Sequence, residues 1–409
     1  MVYKLFNAGL RLTSLAIKMM LMLYMAKYLG LYDLGTFGLV SAIVALSIPL
    51  FGMQLEYVTS RDIINQNDQT VSILIKEEVL FYLLNYLILI ILCICALTFF
   101  EWPLGQHIIF YTVTLCILEG LSTVATANLT SLQRPIMGNV VFFIRSSLWA
   151  IPVMIFGFFD ETYRQIDIIF QLWIAGVFLS LLFTIFVMRN LPWTDAFATA
   201  VNWQRVRDNI RKSLPFWGGA LCLAGAVYVD RFLIEFFLDR EFVGIISFYS
   251  SFVVAIAALT GSGVYSFSYP KMITFFKEKQ FEELTNLTKQ SAIHAAVWSV
   301  GLSLIIAIII PLLGLFIHRP EIHDHRYVLY VMLVAVCIRT ISKSLEFLLY
   351  ARNQDSVIWT SNLIFLISAL FFGMTFLPAF GFIGIGYSAL ASAFMMALWQ
   401  SYHSYHYKT

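Results

Sequence analysis

Leu80-Phe-Tyr-Leu-Leu-Asn-Tyr-Leu-Ile-Leu-Ile-Ile-Leu-Cys-Ile-Cys-Ala-Leu-Thr-Phe-Phe100 is a run of 21 residues without one charged side chain. Wound as an α-helix it would be about 31 Å long, roughly the thickness of a bilayer's hydrocarbon core. Comparable runs extend from it in both directions. They predict spans near 5–29, 35–59, 77–100, 104–128, 138–159, 168–190, 213–238, 242–268, 289–317, 326–350, 357–377 and 382–402. The composition agrees, with 60% hydrophobic residues, 12% charged residues and a mean hydropathy of +0.81. Soluble domains carry about 25% charged residues, and a water-soluble fold this poor in charge could not cover its own surface. The sequence therefore predicts an all-α integral membrane protein with about twelve transmembrane helices.

The loops predict the orientation. With twelve spans, the N-terminus and the even-numbered span ends share one side. That side carries Lys4, Arg61, Lys76, Arg134, Arg189, Arg205, Arg207, Arg211, Lys212, Lys271, Lys277, Lys279, Lys289, Arg352 and Lys408. The other side has Arg164, Arg240, Arg319 and Arg326, with Lys27 at a span end. The excess, about three to one, places both termini in the cytoplasm. No small-residue cleavage site follows the first apolar segment before Lys27, so that segment is expected to remain as a span. The basic and apolar residues of 191–212 are expected to form an interfacial amphipathic helix on an anionic leaflet. This linker divides the chain into an N-lobe, 1–200, and a C-lobe, 201–409, of six spans each. A faint echo crosses the divide: Leu34-Gly-Thr-Phe-Gly-Leu-Val-Ser after Asp33 resembles Val243-Gly-Ile-Ile-Ser-Phe-Tyr-Ser after Glu241. Two halves of even span number would be parallel repeats, a transporter-type organisation.

Several charges fall inside the spans, where each costs about 2.5–3.5 kcal/mol on insertion scales and marks a functional candidate. Arg11 and Lys18 lie two helical turns apart on one face with Ser14. Glu119 and Arg145 fall in spans four and five, and Asp230 and Arg231 in span seven. Arg339, Lys343 and Glu346 follow an i, i+4, i+7 pattern on span ten, with Ser342 beside them, and Glu56 sits near the end of span two. Counting along the helices puts Arg11 and Arg145 within about 10 Å of the cytoplasmic edge, Lys18, Glu119 and Arg339 near the midplane, and Asp230 and Arg231 in the outer half. Snorkelling accounts for Lys4, Lys27 and Arg11 but not for Lys18 or Arg339. Pairing within the bundle is the structural reading: Lys343 with Glu346, Asp230 with Arg231, and Glu119 with a third cation. Even so, the cations Arg11, Lys18, Arg145, Arg231, Arg339 and Lys343 outnumber the acids. A wet cationic interior of this kind favours an anionic substrate such as phosphate or pyrophosphate.

Other chemistries lack their residues. There is no Walker lysine loop after a strand. Net charge of +2 gives no basis for nucleic-acid binding. Cys93, Cys95, Cys116, Cys222 and Cys337 all lie in apolar runs and read as small buried hydrophobes, not a disulfide framework. His318, His323 and His325 read as a solvated external loop, with no metal and no cofactor expected. His294 in span nine, together with Glu119, Asp230 and Glu346, is a candidate for ion pairing or proton coupling.

Leu10-Arg-Leu-Thr-Ser-Leu-Ala-Ile-Lys and Tyr24-Met-Ala-Lys-Tyr-Leu-Gly-Leu-Tyr-Asp-Leu-Gly-Thr-Phe-Gly-Leu-Val resemble the start of polysaccharide flippases. Tyr228-Val-Asp-Arg-Phe-Leu-Ile and Leu377-Pro-Ala-Phe-Gly-Phe-Ile-Gly-Ile-Gly-Tyr-Ser-Ala-Leu-Ala do so as well. The family is that of the Wzx-type O-antigen translocases, in the polysaccharide transport branch of the MOP superfamily. The resemblance implies two six-helix, MATE-like lobes around a central cavity that opens alternately to either face. It implies a bacterial inner-membrane flippase, not an enzyme, whose substrate is an undecaprenyl-pyrophosphate-linked oligosaccharide. A polysaccharide polymerase and a chain-length regulator are candidate partners. Arg11, Lys18 and Asp230-Arg231 match the family's basic positions and Asp-basic pair, and Arg145, Arg339 and Lys343 match less closely. Two other readings remain: a multidrug exporter of the same superfamily, which would want a cavity for organic cations, and an O-antigen polymerase, which would want a large external loop.

Overall fold

The computed structural model describes residues 2–99 and 105–406, with side chains for 9–95, 105–314 and 317–406. The Lys4 side chain, Lys408 and the junction of the third and fourth spans lie outside the described residues. The described chain is helical throughout and has no strand. Its helices are α1 (Val2–Tyr28), α2 (Leu31–Gly52), α3 (Leu55–Ile63), α4 (Asp68–Phe99), α5 (Gln106–Ser131), α6 (Pro135–Phe143), α7 (Ala150–Phe159), α8 (Ile166–Met188) and α9 (Trp193–Ala198). They continue as α10 (Trp203–Phe237), α11 (Arg240–Thr260), α12 (Ser266–Lys277), α13 (Phe281–Ile317), α14 (Pro320–Asp324), α15 (Arg326–Ala351), α16 (Asp355–Phe380) and α17 (Ile383–His406). A π-helical segment joins α6 to α7 (Ile144–Leu148), and another joins α11 to α12 (Gly261–Tyr265).

All twelve expected spans have a helical counterpart. Among the described residues, 11 helical stretches are long and apolar enough to cross a membrane. The remaining span is α10, 35 residues long, whose composition is diluted by Arg205, Arg207, Arg211, Lys212, Asp230 and Arg231. Large apolar side chains face outward where lipid would solvate them, as at Leu83, Leu87, Ile91 and Ile94 on α4 and at Val297, Leu304 and Ile308 on α13. The outward faces exclude a uniform reading of the cysteines: Cys116 is buried, Cys95 is exposed and the others are half-buried, all as free thiols.

Two expectations are corrected. The second span is not continuous, because Met53 and Gln54 take left-handed backbone conformations (φ 50° and 53°) that end α2 and restart the chain as α3. Nor is 191–212 one amphipathic helix. It holds only the six-residue α9 before α10 begins, and α4 pins it in place. The buried Lys76 donates to the carbonyls of Ala196 (2.8 Å) and Thr199 (2.7 Å) at the end of α9. Its neighbour Glu77 accepts from the Asn202 N–H (2.9 Å) and takes Arg205 with both oxygens (2.8 and 2.9 Å). Buried charges need such partners, and the linker's open carbonyls and N–H groups supply them.

The chain forms two compact units, Met1–Leu21 with Val40–Trp217 and Met22–Leu39 with Gly218–Thr409. In the first, α4 packs on α3, α5 and α9, and α5 packs on α6 and α8. Its core includes Ile63, Leu74, Leu129, Val141 and Met188, and Leu55, Tyr82, Tyr86 and Val124. In the second, α11 packs on α13 and α15, and α17 on α15 and α16. The N-terminal part of α2, to Leu39, belongs to this unit and crosses α11 at close range. A Cβ on Gly35 would overlap the Arg240 carbonyl oxygen, and one on Gly244 would overlap the Leu31 carbonyl oxygen. A Cβ on Gly38 would overlap Ser247 Oγ. Gly35 and Gly244, and Gly38 and Ser247, are the paired positions of the sequence echo. The two echoing segments thus meet each other, and small residues let their backbones approach.

Candidate functional site

In the first unit the intramembrane charges gather around the π-helical turn. Such a turn loosens the regular backbone ladder, and the Trp149 indole donates to the Arg145 carbonyl (3.0 Å). Trp149 stacks on Trp173 of α8 with ring centroids 5.5 Å apart. Gly176 leaves the room: a Cβ there would stand 2.7 Å from Trp149 Cβ. Trp173 Nε1 in turn donates to Glu119 Oε1 (2.7 Å). Arg145 places Nε 3.4 Å from Glu119 Oε2, and its guanidinium also donates to the Glu119 carbonyl (3.2 Å) and to Thr123 Oγ1. Counting along the helices had put Arg145 and Glu119 at different depths, but they are side by side. The third cation expected for Glu119 is therefore Arg145 itself, and the pair is nearly enclosed, with side-chain exposures of 12% and 10%.

The shared face of Arg11, Ser14 and Lys18 lies along α6 and the π turn. Arg11 Nε donates to Asn139 Oδ1 (3.2 Å), and Ser147 Oγ donates to the Ser14 carbonyl (3.2 Å). Lys18 is exposed and forms no ion pair within 4 Å among the described residues.

The second unit handles its charges differently. On α10, Asp230 Oδ1 accepts from the backbone N–H (2.8 Å) and the guanidinium (3.1 Å) of its neighbour Arg231, as expected. Arg231 lies over the Tyr228 ring (5.0 Å) and is buried, with Nε unpartnered. On α15, Arg339 lies over Phe365 (5.4 Å) and Lys343 over Phe347 (5.8 Å). The expected Lys343–Glu346 pair is not formed: no ion pair within 4 Å involves Arg339, Lys343 or Glu346 among the described residues. An i, i+3 separation puts both groups on one face, but contact also requires rotamers that turn toward each other. Lys343 is exposed and Arg339 and Glu346 are half-buried. His294 is exposed on α13.

Sequence reasoning missed three features. It read Arg240 as a loop cation, whereas Arg240 is buried at the head of α11, bound to Glu235 and, through Nη1, to the Tyr32 hydroxyl (3.2 Å). It overlooked Trp149 and Trp173, although an indole in the middle of a span is itself a signal, since Trp is enriched at membrane interfaces. It also passed over Glu78, which stands one residue inside the predicted third span. On α14, His323 meets Arg326, and no group of three or more His, Cys, Asp or Glu suited to a metal occurs among the described residues.

No protein-family model and no curated protein sequence matches the chain. Solved structures do match it in fold. A multidrug resistance MATE family transporter of the MOP superfamily, in an inward-facing conformation, superposes with a TM-score of 0.77 at 12% identity, covering 96% of this chain and 94% of that one. The lipid II flippase MurJ, in an inward closed conformation, gives 0.72 at 14% identity, covering 99% and 88%. A MOP superfamily transporter from Pyrococcus furiosus, described as having a binding pocket of reverse polarity, gives 0.58 at 12% identity, covering 99% and 94%. An all-helical chain with this order of spans, matched along nearly its whole length, has the fold shared by MATE transporters and the MurJ lipid flippase.

Proposed function

We propose that the protein is a flippase that carries an undecaprenyl-pyrophosphate-linked oligosaccharide, an O-antigen repeat unit, across the bacterial inner membrane by alternating access. The observation that carries this reading is the set of cations left outside ion pairs on membrane-spanning helices: Lys18 in the first unit, and Arg339 and Lys343 in the second. An unpaired cation in a span is costly, and a substrate pyrophosphate would offset that cost through charge-assisted hydrogen bonds. Arg11, on the same face as Lys18, would add a further contact. Arg145 and Arg231, each bound to an acid, would act as positioning residues, with Glu119, Asp230 and Glu346 setting the local field. Transport is the activity by which its fold neighbours are described.

The test is Lys18→Gln combined with Lys343→Gln in cells that depend on this protein for surface polysaccharide. The expected outcome is loss of surface polysaccharide, with lipid-linked single repeat units accumulating on the cytoplasmic leaflet and the variant present in the membrane at normal level. Export at the unaltered level would remove the basis of the proposal. Export of organic cations, the MATE-type alternative, would instead be favoured by acids, so it predicts that the same double variant transports such cations undiminished.

A further inference from the structure

The open face of α15 runs on past its cations into a group of aromatic rings. Arg339, Lys343, Glu346, Phe347 and Tyr350 follow the helical period and share one stripe of the helix. The second unit's α12 completes the group. Tyr265, buried at the end of the π-helical turn, donates to the Thr340 carbonyl and so fixes the start of α12 against α15. Its ring lies 5.1 Å from that of Phe347. One helical turn on, Tyr269 meets both Phe347 (4.9 Å) and Tyr350 (5.5 Å). Lys343 Nζ stands 5.8 Å from the centre of the Phe347 ring. Tyr269, Glu346, Phe347 and Tyr350 are half-buried, so the group keeps an accessible surface. A charge turned toward hydrocarbon is costly, and the charges on this stripe mark it as a face for something other than lipid tails.

The order of signs along the stripe narrows the occupant. Arg339, Lys343 and Glu346 form no ion pair within 4 Å among the described residues, so their charges act on whatever lies beside them. An organic cation suits aromatic rings beside an acid, but here two cations stand next to the rings and repel it. Glu346 repels a second negative charge at its own position. What fits both is an anion joined to an uncharged ring rich in hydroxyls. The C–H bonds on one face of a sugar are polarised positive and pack on the negative face of an aromatic ring. Its hydroxyls donate to a carboxylate, which only accepts.

We infer that, where Arg339 and Lys343 hold the pyrophosphate, Glu346 and the rings of Tyr269, Phe347 and Tyr350 bind the sugar attached to it and select one without a negative charge. This rests on the flippase reading above and adds to it the class of sugar.

The test uses purified full-length protein in nanodiscs and three probes: bare undecaprenyl pyrophosphate, the same lipid carrying N-acetylglucosamine, and the same lipid carrying glucuronic acid. Wild type is expected to bind the N-acetylglucosamine lipid at least about tenfold tighter than the glucuronate lipid, because the glucuronate meets a like charge at Glu346. Glu346→Gln is expected to bring that ratio close to one. Removing a carboxylate strengthens the binding of every anion, so the ratio is the quantity to read, and a merely structural role would not move it. Tyr269→Leu is expected to weaken binding of the N-acetylglucosamine lipid more than that of the bare lipid. Equal binding of the two sugar lipids by wild type overturns the inference, and so does a ratio that Glu346→Gln leaves unaltered. Should that variant not fold, the wild-type ratio and Tyr269→Leu decide. Failure of bare undecaprenyl pyrophosphate to bind at all would overturn the flippase reading itself, and this inference with it.

Discussion

The charge cluster around Arg145 and the charged face of α15 have similar ingredients and opposite outcomes. In the first unit Arg145 of the π-helical turn, Glu119 and Thr123 of α5 and Trp173 of α8 close into a network. On α15, Arg339, Lys343 and Glu346 come from one helix and stay open. Three helices packed edge to edge can aim their side chains at a common point. One helix presents a row at fixed spacing, and unless a neighbour brings a partner the row faces the solvent or the substrate. A closed network is read as scaffold, an open row as a binding surface.

The sharpest way to break this contrast is Glu119→Ala. It would leave the enclosed Arg145 guanidinium unpaired and is expected to cost about 3–5 kcal/mol, read as a loss of Tm in detergent. Replacing both partners, Arg145→Met with Glu119→Leu, is expected to restore most of that stability; a double variant as unstable as the single one would mean that the pair does more than neutralise itself. Trp173→Phe keeps the ring stack and removes only the hydrogen bond to Glu119. It is expected to cost about 1.5–3 kcal/mol, the range for bonds to charged groups, in the same unfolding measurement. On the open face, Lys343→Gln is expected to lower transport about tenfold while shifting stability by less than about 0.5 kcal/mol, measured as flux and Tm on one preparation. Glu346→Gln should change stability least, by less than about 0.5 kcal/mol as well; a clear destabilisation would show that α15 holds a closed pair after all.

Much of the fold was legible in the sequence. The run from Leu80 commits its segment to a bilayer whatever surrounds it, and α4 covers all of its described residues. The α2–α11 crossing was half legible: the echo of Gly35 and Gly244 could be read, but not that the two segments touch. The break at Met53 and Gln54 was not read: its signal was only Pro49 and Gly52 just before it, and the left-handed residues themselves are ordinary side chains. Of the candidate site, helical spacing correctly put Arg11 with Ser14 and Lys18 on one face, and adjacency correctly paired Asp230 with Arg231. It wrongly paired Lys343 with Glu346 and misjudged Arg145 and Arg240, whose surroundings are built from residues distant in the chain.

By itself, then, the sequence determined that this is a bundle of about twelve membrane helices, and which side chains carry charge into the bilayer. Those follow from local quantities, the length of an apolar run and the 3.6-residue period. Only the tertiary structure decided which charges are neutralised, which stay open and which rings they stand beside. Pairing depends on contacts of a few ångströms between side chains on different helices, and no local pattern specifies those distances.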